Sequence, residues 1–241
     1  MNLENMIYKR KSSRKFESTP VNIDSLAKIS EFCNNLKPLS PEINVRFDIL
    51  EKENVKCIFP WIAPQTIAVY SEQKQGYLEN VGFMFQQLDL YLQELGLGCC
   101  WLGMGRLGEV EDHTQNDGLK FIIMLTFGKT SETLRRDKTE FKRKSLTAIS
   151  DVLDERLEPA RLAPSSVNSQ PWYFTHEDNI INTYRIKRGI FNKTAMHNMN
   201  TIDVGIALSH IYIANPETFK FFKAENATEI KGYEYIGSFS I

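Results

Sequence analysis

Two segments of this 241-residue chain predict helices that are apolar on nearly every side. The first runs from about Tyr77 to Leu95 and the second from Ile202 to Ala214. A helix that is apolar all round must be buried on all sides, so both helices are expected inside the protein. Gly82 and Gly205 lie within them and permit a close approach of two backbones. We therefore expect the two helices to pack against each other at the centre of the fold.

The same two segments resemble each other in sequence. NVGFMFQQLDLYL begins at Asn80, and DVGIALSHIYIA begins at Asp203, which is 123 residues later. LSPEINVRF and PSSVNSQPW share an asparagine at a spacing of 124 residues, and YKRKS recurs as FKRKS after 133 residues. Similar matches in the same order indicate an internal repeat. We interpret residues 1–241 as one unit of two intertwined, diverged copies, about 1–130 and 131–241, that together act as a two-fold symmetric dimer does.

Each copy predicts the same succession of helix, helix, strand, strand, helix, strand and strand. In the first copy, Asn22 or Asp24 can cap a helix with apolar residues at helical spacing. In the second copy, DVLDERLEPARL is the corresponding helical segment. The predicted strands are INVRFDIL, QTIAVYS, CCWL and FIIMLTFG, followed by PWYFTH, INTYRIK, TFKFFK and YEYIGSFSI. This succession predicts an α+β fold with mixed or antiparallel sheets flanked by helices around the two central ones.

Composition excludes several classes of protein. A net charge of −1 with 24% charged residues argues against a dedicated nucleic-acid or membrane-surface protein. The N-terminus has no apolar signal segment, and the longest apolar run, residues 121–127, is too short to span a bilayer. The four cysteines include no CxxC pair and the four histidines no HExxH spacing. We expect a cytoplasmic protein without a structural metal.

Two short segments carry groups that could do chemistry. RKSSRKF, residues 10–16, offers cations and hydroxyls that suit a phosphate, or it is a solvated basic arm. LAPSSVNSQPWYF, residues 162–174, crowds hydroxyls and amides beside large aromatic residues. That pattern suits a flat polar ligand, and it equally suits a capped turn that leads into a strand.

Together these segments resemble the FMN-dependent nitroreductase family. Residues 10–16 are similar to its RRSxRxF-like motif, and Ala163 to Phe174 match its APSxxNxQPWxF motif residue for residue. GLGCCWLG, residues 96–103, matches its GLGxxWxG segment, and KRKSL, residues 142–146, is a looser match to a late basic element. The resemblance covers most of the first 175 residues. Because family members are usually homodimers with FMN at each subunit interface, it implies a monomer that works as a fused pseudo-dimer.

The resemblance also implies which residues bind FMN. Arg10, Lys11 and Ser12 are expected at the phosphate or the ring edge, and Lys142 and Arg143 are expected to help at the phosphate. Arg14 would lie near the pyrimidine end of the ring and stabilise the negative charge of the reduced flavin. Backbone amides around Leu102 and Gly103 would face flavin N5, the atom that transfers hydride, so no catalytic side chain is expected.

The remaining implied contacts come from the second copy and would close over the cofactor. They are made by Pro164, Ser165, Ser166 and Asn168. The first copy has LSPEINVRF at the corresponding place, and the second copy has ANPETFKFF where GLGxxWxG would recur. Only one complete site can be assembled, so we expect one FMN per chain.

The resemblance predicts an oxidoreductase in which NADH or NADPH reduces FMN and FMN reduces a flat acceptor such as a nitroaromatic or a quinone. Because half of the repeated motifs are eroded, a non-catalytic flavin-binding or ligand-sensing protein is the alternative. A nucleic-acid binder would depend only on the KRKSSRK and KRK clusters, and the near-neutral net charge weakens that reading. The sequence does not distinguish NADH from NADPH.

Overall fold

The computed structural model describes residues 2–108, 118–187 and 195–241, in which there are six α-helices and ten β-strands. The helices are α1 (Leu3–Ile7), α2 (Ile23–Asn34), α3 (Tyr77–Glu94), α4 (Leu146–Ile149), α5 (Glu158–Leu162) and α6 (Ala195–Ala214). The strands are β1 (Val45–Glu51), β2 (Val55–Lys56), β3 (Gln65–Ser71), β4 (Gly98–Leu102), β5 (Arg106–Leu107), β6 (Lys120–Gly128), β7 (Trp172–Glu177), β8 (Ile180–Ile186), β9 (Lys220–Phe222) and β10 (Tyr233–Ser240).

Two four-stranded sheets have the same order of strands. One sheet is ordered β1-β3-β6-β4 and the other β7-β8-β10-β9, and β2 pairs separately with β5. Within each large sheet the strands therefore lie first, second, fourth and third in chain order. All pairs of named strands are antiparallel. In both halves the long helix, α3 or α6, connects the second strand to the third. The predicted α+β class with antiparallel sheets is confirmed.

The two long helices pack against each other, as their apolar sequences predict. A Cβ atom on Gly82 would lie 2.1 Å from the carbonyl oxygen of Ile202. A Cβ atom on Gly205 would lie 2.0 Å from the carbonyl oxygen of Glu79. Only glycine allows backbones this close, so these two positions set the distance between α3 and α6.

Local signals explain where several elements begin and end. Asn22, rather than Asp24, caps α2, because its side chain accepts a hydrogen bond of 2.9 Å from the backbone N–H of Ser25. Gly96 follows α3 with a φ of +76°, the left-handed conformation that commonly ends a helix. Helix α6 begins at Ala195, earlier than the predicted start at Ile202.

The prediction of a helix over residues 151–162 is wrong for its first part. Only Glu158–Leu162 is α-helical, after a 3-10 turn at Glu155–Leu157. The backbone N–H of Asp151 instead donates to the carbonyl oxygen of Phe174 in β7. Asp151 and Asp154 also contact the two ring nitrogens of His176 at 2.7 and 2.9 Å. These contacts with β7 compete with helix formation, which sequence periodicity does not register. Among the described helices, none is long and apolar enough to cross a membrane.

Candidate functional site

A cavity of about 320 Å³ brings together residues from several distant parts of the chain. It lies between the N-terminal arm, the end of β4, the loop before β7 and the first turns of α6; we call it the first cavity. Its volume is within the range of roughly 300–1,000 Å³ that is usual for small-molecule sites. Of the twelve residues expected from the sequence, those that line it are Ser12, Arg14, Leu102, Gly103, Pro164, Ser165 and Ser166.

The N-terminal arm is fixed along the edge of β4. Ser12 forms a parallel bridge with Cys99, and the backbone N–H of Ser13 donates to the carbonyl oxygen of Cys99 at 2.9 Å. The arm can approach because position 98 is glycine: a Cβ atom there would lie 2.6 Å from the Ser13 Oγ. Glycine in the GLGCCWLG segment therefore positions Ser12 and Arg14 beside Leu102.

The loop before β7 has an unusual backbone conformation. Val167, Asn168 and Gln170 all have positive φ angles, of 48°, 55° and 46°. Such angles are costly for residues other than glycine and require support from neighbouring structure. The Ser165 Oγ supplies part of it by accepting a hydrogen bond of 2.9 Å from the backbone N–H of Gln170. This bent loop presents Ser165 and Ser166 to the first cavity.

Asp203 anchors the same loop from α6. Its two carboxylate oxygens accept from the backbone N–H of Ser166 at 3.0 and 3.1 Å, and the residue is only 4% exposed. Met199, one turn earlier, contacts the Ser166 Oγ at 3.4 Å through its sulfur and packs over Gly103. Sequence reasoning missed both residues, although an aspartate within an otherwise apolar helix was a signal for Asp203.

An aromatic stack flanks the first cavity on the side of the N-terminal arm. The guanidinium of Arg14 lies over the ring of Trp61, 4.7 Å from its centroid. Phe59 stacks on the same ring with centroids 4.4 Å apart and planes 6° from parallel. All three residues line the cavity, and sequence reasoning missed the two aromatic ones. The stack provides a flat apolar surface beside a cation.

Arg10 is placed differently from the expectation. It is 1% exposed, does not line the first cavity, and forms a salt bridge of 2.8 Å with Asp89, which is fully buried. Its Nη2 donates to the Ser12 Oγ at 3.1 Å, so Arg10 contacts a residue that lines the cavity. Lys11 also lies outside the lining, with its backbone N–H donating to Gln93 at 2.8 Å.

A buried polar network extends from this salt bridge into the interface of the central helices. Gln86 accepts from the indole N–H of Trp101 at 3.2 Å and donates to Asp89 at 2.9 Å. Its amide nitrogen also lies 3.0 Å from the Nε2 of His210, whose Nδ1 lies 2.9 Å from the carbonyl oxygen of Pro159. An amide nitrogen can only donate, so Nε2 accepts and Nδ1 carries the proton. Complete burial lowers the pKa of His210 to about 3.

The remaining expected residues lie behind the bent loop. Arg143 donates to the Asn168 side chain at 2.6 Å and to the carbonyl oxygen of Ala163 at 3.0 Å. Asn168 in turn donates to the carbonyl oxygen of Lys142 at 2.9 Å. Lys142, Arg143 and Asn168 therefore support the loop from outside the cavity lining.

Arg143 lies close to several other cations. Burial, with repulsion from Arg10, Arg135 and Arg161, lowers its pKa to about 9. Burial and the charge of Arg10 lower the pKa of Arg135 to about 10. Both guanidiniums lie over the ring of Phe141, at 4.2 Å for Arg135 and 5.6 Å for Arg143. Such a group of donors fits an anion such as a phosphate, which would compensate their charge.

Comparisons with known proteins place the chain in a family. Residues 2–215 match the family model described as "Putative TM nitroreductase". A solved structure titled "putative nitroreductase" from Thermotoga maritima is similar over 99% of this chain and 92% of its own, with 19% identity and a TM-score of 0.64. No curated protein matches the chain.

Two further solved structures are similar over part of the chain. A nitroreductase family protein from Clostridium difficile 630 is 21% identical, with a TM-score of 0.49, over 64% of this chain and 99% of its own. An FMN-dependent nitroreductase from Clostridium difficile R20291 is 17% identical, with a TM-score of 0.42, over 55% of this chain and 91% of its own.

Proposed function

The chain belongs to this nitroreductase family, and on that premise we propose that it is an FMN-dependent oxidoreductase. NADH or NADPH would be the electron donor, and a flat molecule such as a nitroaromatic or a quinone would be the acceptor. The observation that most supports the proposal is the first cavity itself. It joins Ser12 and Arg14, the end of β4 and Ser166, which the family motifs single out separately in the sequence.

The residues around the cavity fit FMN at both ends. Arg143 and Arg135, with Lys142 nearby, would bind the phosphate, because an anion would offset the burial and the cation–cation repulsion that lower the pKa of both guanidiniums. Arg10 and Lys11 lie outside the cavity lining and would contribute indirectly. Arg10 would orient the Ser12 hydroxyl. Bound FMN would supply the transfer of hydride and electrons between donor and acceptor.

The lining of the cavity would orient the ring and stabilise its charge. Arg14 would place a cation beside the pyrimidine end, where negative charge develops on reduction. The apolar surfaces of Trp61 and Met199 would exclude water from the ring. Ser165 and Ser166, held in place by Asp203 and the bent loop, would close the opposite side with Pro164. Backbone amides at Leu102 and Gly103 would lie along the ring edge.

We also propose that one chain is a fused pseudo-dimer of two diverged copies, about residues 1–130 and 131–241, with one FMN. Three features support it: the equal strand order of the two sheets, the equal position of α3 and α6, and the reciprocal contacts of Gly82 and Gly205. All four cysteines are free thiols, which suits the cytoplasm.

Flavin content and turnover test the proposed function directly. The protein is saturated with FMN, freed of excess by gel filtration, denatured, and its flavin quantified per chain. Oxidation of NADH or NADPH is then followed with p-nitrobenzoate and with menadione as acceptors. The proposal predicts one FMN per chain and acceptor-dependent turnover with ping-pong kinetics. A chain without FMN, or with two, contradicts it. Bound FMN that neither nicotinamide reduces would support the non-catalytic alternative.

A further inference from the structure

A second cavity, of about 510 Å³, lies between the two halves of the chain at a position that corresponds to the first cavity. Residues 39–42, the start of α3 and the end of β9 line it. These segments correspond to the loop at 163–166, the start of α6 and the end of β4, because β9 and β4 occupy the same place in their sheets. The two cavities therefore occupy equivalent places, and each is lined by residues from both halves.

The loop of the second cavity is anchored as the loop of the first one is. Asn80, in the first turn of α3, accepts hydrogen bonds from the backbone N–H groups of Leu39 and Ser40 at 2.8 and 3.0 Å. Asp203 lies 123 residues later and binds the backbone N–H of Ser166 in the same way. The loop is thus held by a buried side chain of the central helix, and the second cavity has a fixed wall.

The charges in the second cavity are unlike those of a flavin site. Its two lysines are already engaged: Lys74 with Glu72 at 2.8 Å and with the carbonyl oxygen of Glu42 at 2.9 Å, and Lys223 with the carbonyl oxygen of Ile236. Its two carboxylates are not. Within the described part of the chain, Glu42 and Glu79 form no salt bridge and no side-chain hydrogen bond to another residue.

Of the two carboxylates, Glu79 has the greater need for a counter-charge, because it is largely buried. Burial raises its pKa, and the Coulombic attraction of Lys223 and Arg185 offsets this only in part. A desolvated carboxylate without a bound counter-charge favours a cation that can donate hydrogen bonds to it. Phe221 and Phe222, with Leu39 and Pro41, form the apolar part of the lining. Aromatic faces also attract ammonium groups, and the Lys223 ammonium already lies 5.7 Å from the centroid of the Phe221 ring.

We propose that the second cavity binds a small organic ammonium ion, with the Glu79 carboxylate as its counter-charge and Phe221 and Phe222 as the apolar wall. A primary amine on a flat apolar group has the matching chemistry. An anionic cofactor such as FMN is disfavoured there, because Lys74 and Lys223 of the lining already hold hydrogen bonds within the protein, whereas Glu42 and Glu79 do not. This inference stands apart from the flavin proposal, since the two cavities share no lining residue.

Three compounds of one shape but different charge test the proposal. 2-Phenylethylamine, 2-phenylethanol and 3-phenylpropanoate are titrated into isotope-labelled protein, with and without FMN, and followed by amide NMR shifts. The amine is expected to bind at least about tenfold more tightly than the alcohol, and the carboxylate not at all. The shifts should appear at Leu39, Ser40 and Gly76 and not at Gly103 or Ser166.

Variants of single carboxylates test which residue binds the amine. Glu79→Gln keeps the shape of the side chain and should raise the Kd of the amine about tenfold. Glu42→Gln should weaken binding less, and Glu53→Gln, an exposed carboxylate outside both cavities, should leave it unchanged. No binding, equal binding of the amine and the alcohol, an unchanged Kd in Glu79→Gln, or FMN-induced shifts at this cavity would each overturn the proposal.

Discussion

Gly82 lies directly against the carbonyl group of Ile202, and the equivalent glycine of the other long helix makes the equivalent contact in return. Gly205 meets Glu79, and both partner residues stand three positions before the glycine of their own helix. This reciprocal contact supports the proposal that the chain is a fused pseudo-dimer. The close crossing is therefore the feature on which both cavities depend, because each uses the first turns of one of these helices.

Alanine at either glycine is expected to destabilise the fold strongly. A Cβ atom 2.1 Å from a backbone carbonyl oxygen can be accommodated only if the helices separate, which should cost about 3 kcal/mol or more of unfolding free energy. Gly232→Ala is the control. It has a positive φ of 87° but no atom within 4 Å of the added Cβ, so it should cost only about 1–2 kcal/mol. Urea unfolding measures both, and a smaller loss for Gly82→Ala than for Gly232→Ala would contradict the account.

The loop over the first cavity should keep its position when Asp203 becomes an amide, but not when the side chain of Asp203 is removed. In Asp203→Asn an oxygen remains to accept the Ser166 N–H, as Asn80 does in the other half, and the Kd for FMN should change by less than about threefold. In Asp203→Ala the bent loop loses this support, and the Kd should rise about tenfold or more. Fluorescence quenching of FMN measures both. Equal affinities in the two variants would show that the loop does not depend on this bond.

Removal of the cation beside the ring should make the flavin harder to reduce. Arg14→Gln is expected to lower the midpoint potential of bound FMN by roughly 30 mV, which corresponds to about 1.4 kcal/mol for a two-electron couple. Lys15→Gln is the matched control, because Lys15 is an adjacent exposed cation that does not line the first cavity. Dye-coupled reduction measures the potentials. Equal potentials for Arg14→Gln and the wild type would remove Arg14 from its proposed role.

His210 should make the fold less stable as the pH falls. Its folded pKa of about 3 lies below the value of roughly 6.5 for an unfolded histidine. Between these values the unfolded chain binds a proton that the folded chain excludes. The unfolding free energy should therefore decrease by up to about 1.4 kcal/mol per pH unit from pH 6.5 downwards. Chemical denaturation at several pH values should show a shallower decline in His210→Gln, whatever its stability at pH 7. An unchanged slope would contradict the assignment.

Much of the fold was predictable because its signals are local or periodic. Apolar residues all round the two long helices required burial, Gly82 and Gly205 permitted contact, and the predicted strands lie close to the observed ones. Seven of the twelve expected site residues line one cavity because their motifs lie at element ends, where a short stretch of chain presents several groups together.

The rest depends on contacts between distant positions. The charge of Arg10 is visible in the sequence, but not that Asp89 would neutralise it from inside α3. Trp61 lies in a loop without a motif, and only the course of the N-terminal arm sets Arg14 over its ring. The extended start of the segment at 151–162 likewise follows from its contacts with His176 and Phe174, not from its own periodicity.

If the proposed function is right, the first cavity holds a flavin that reduced nicotinamide can reach. The most direct measurement is the visible spectrum of the FMN-loaded protein, recorded anaerobically as NADH or NADPH is added. We expect one equivalent of bound flavin per chain to bleach on mixing and to recover its colour when menadione follows. Failure of the protein to retain FMN, or bound flavin that keeps its colour with both nicotinamides, would contradict it.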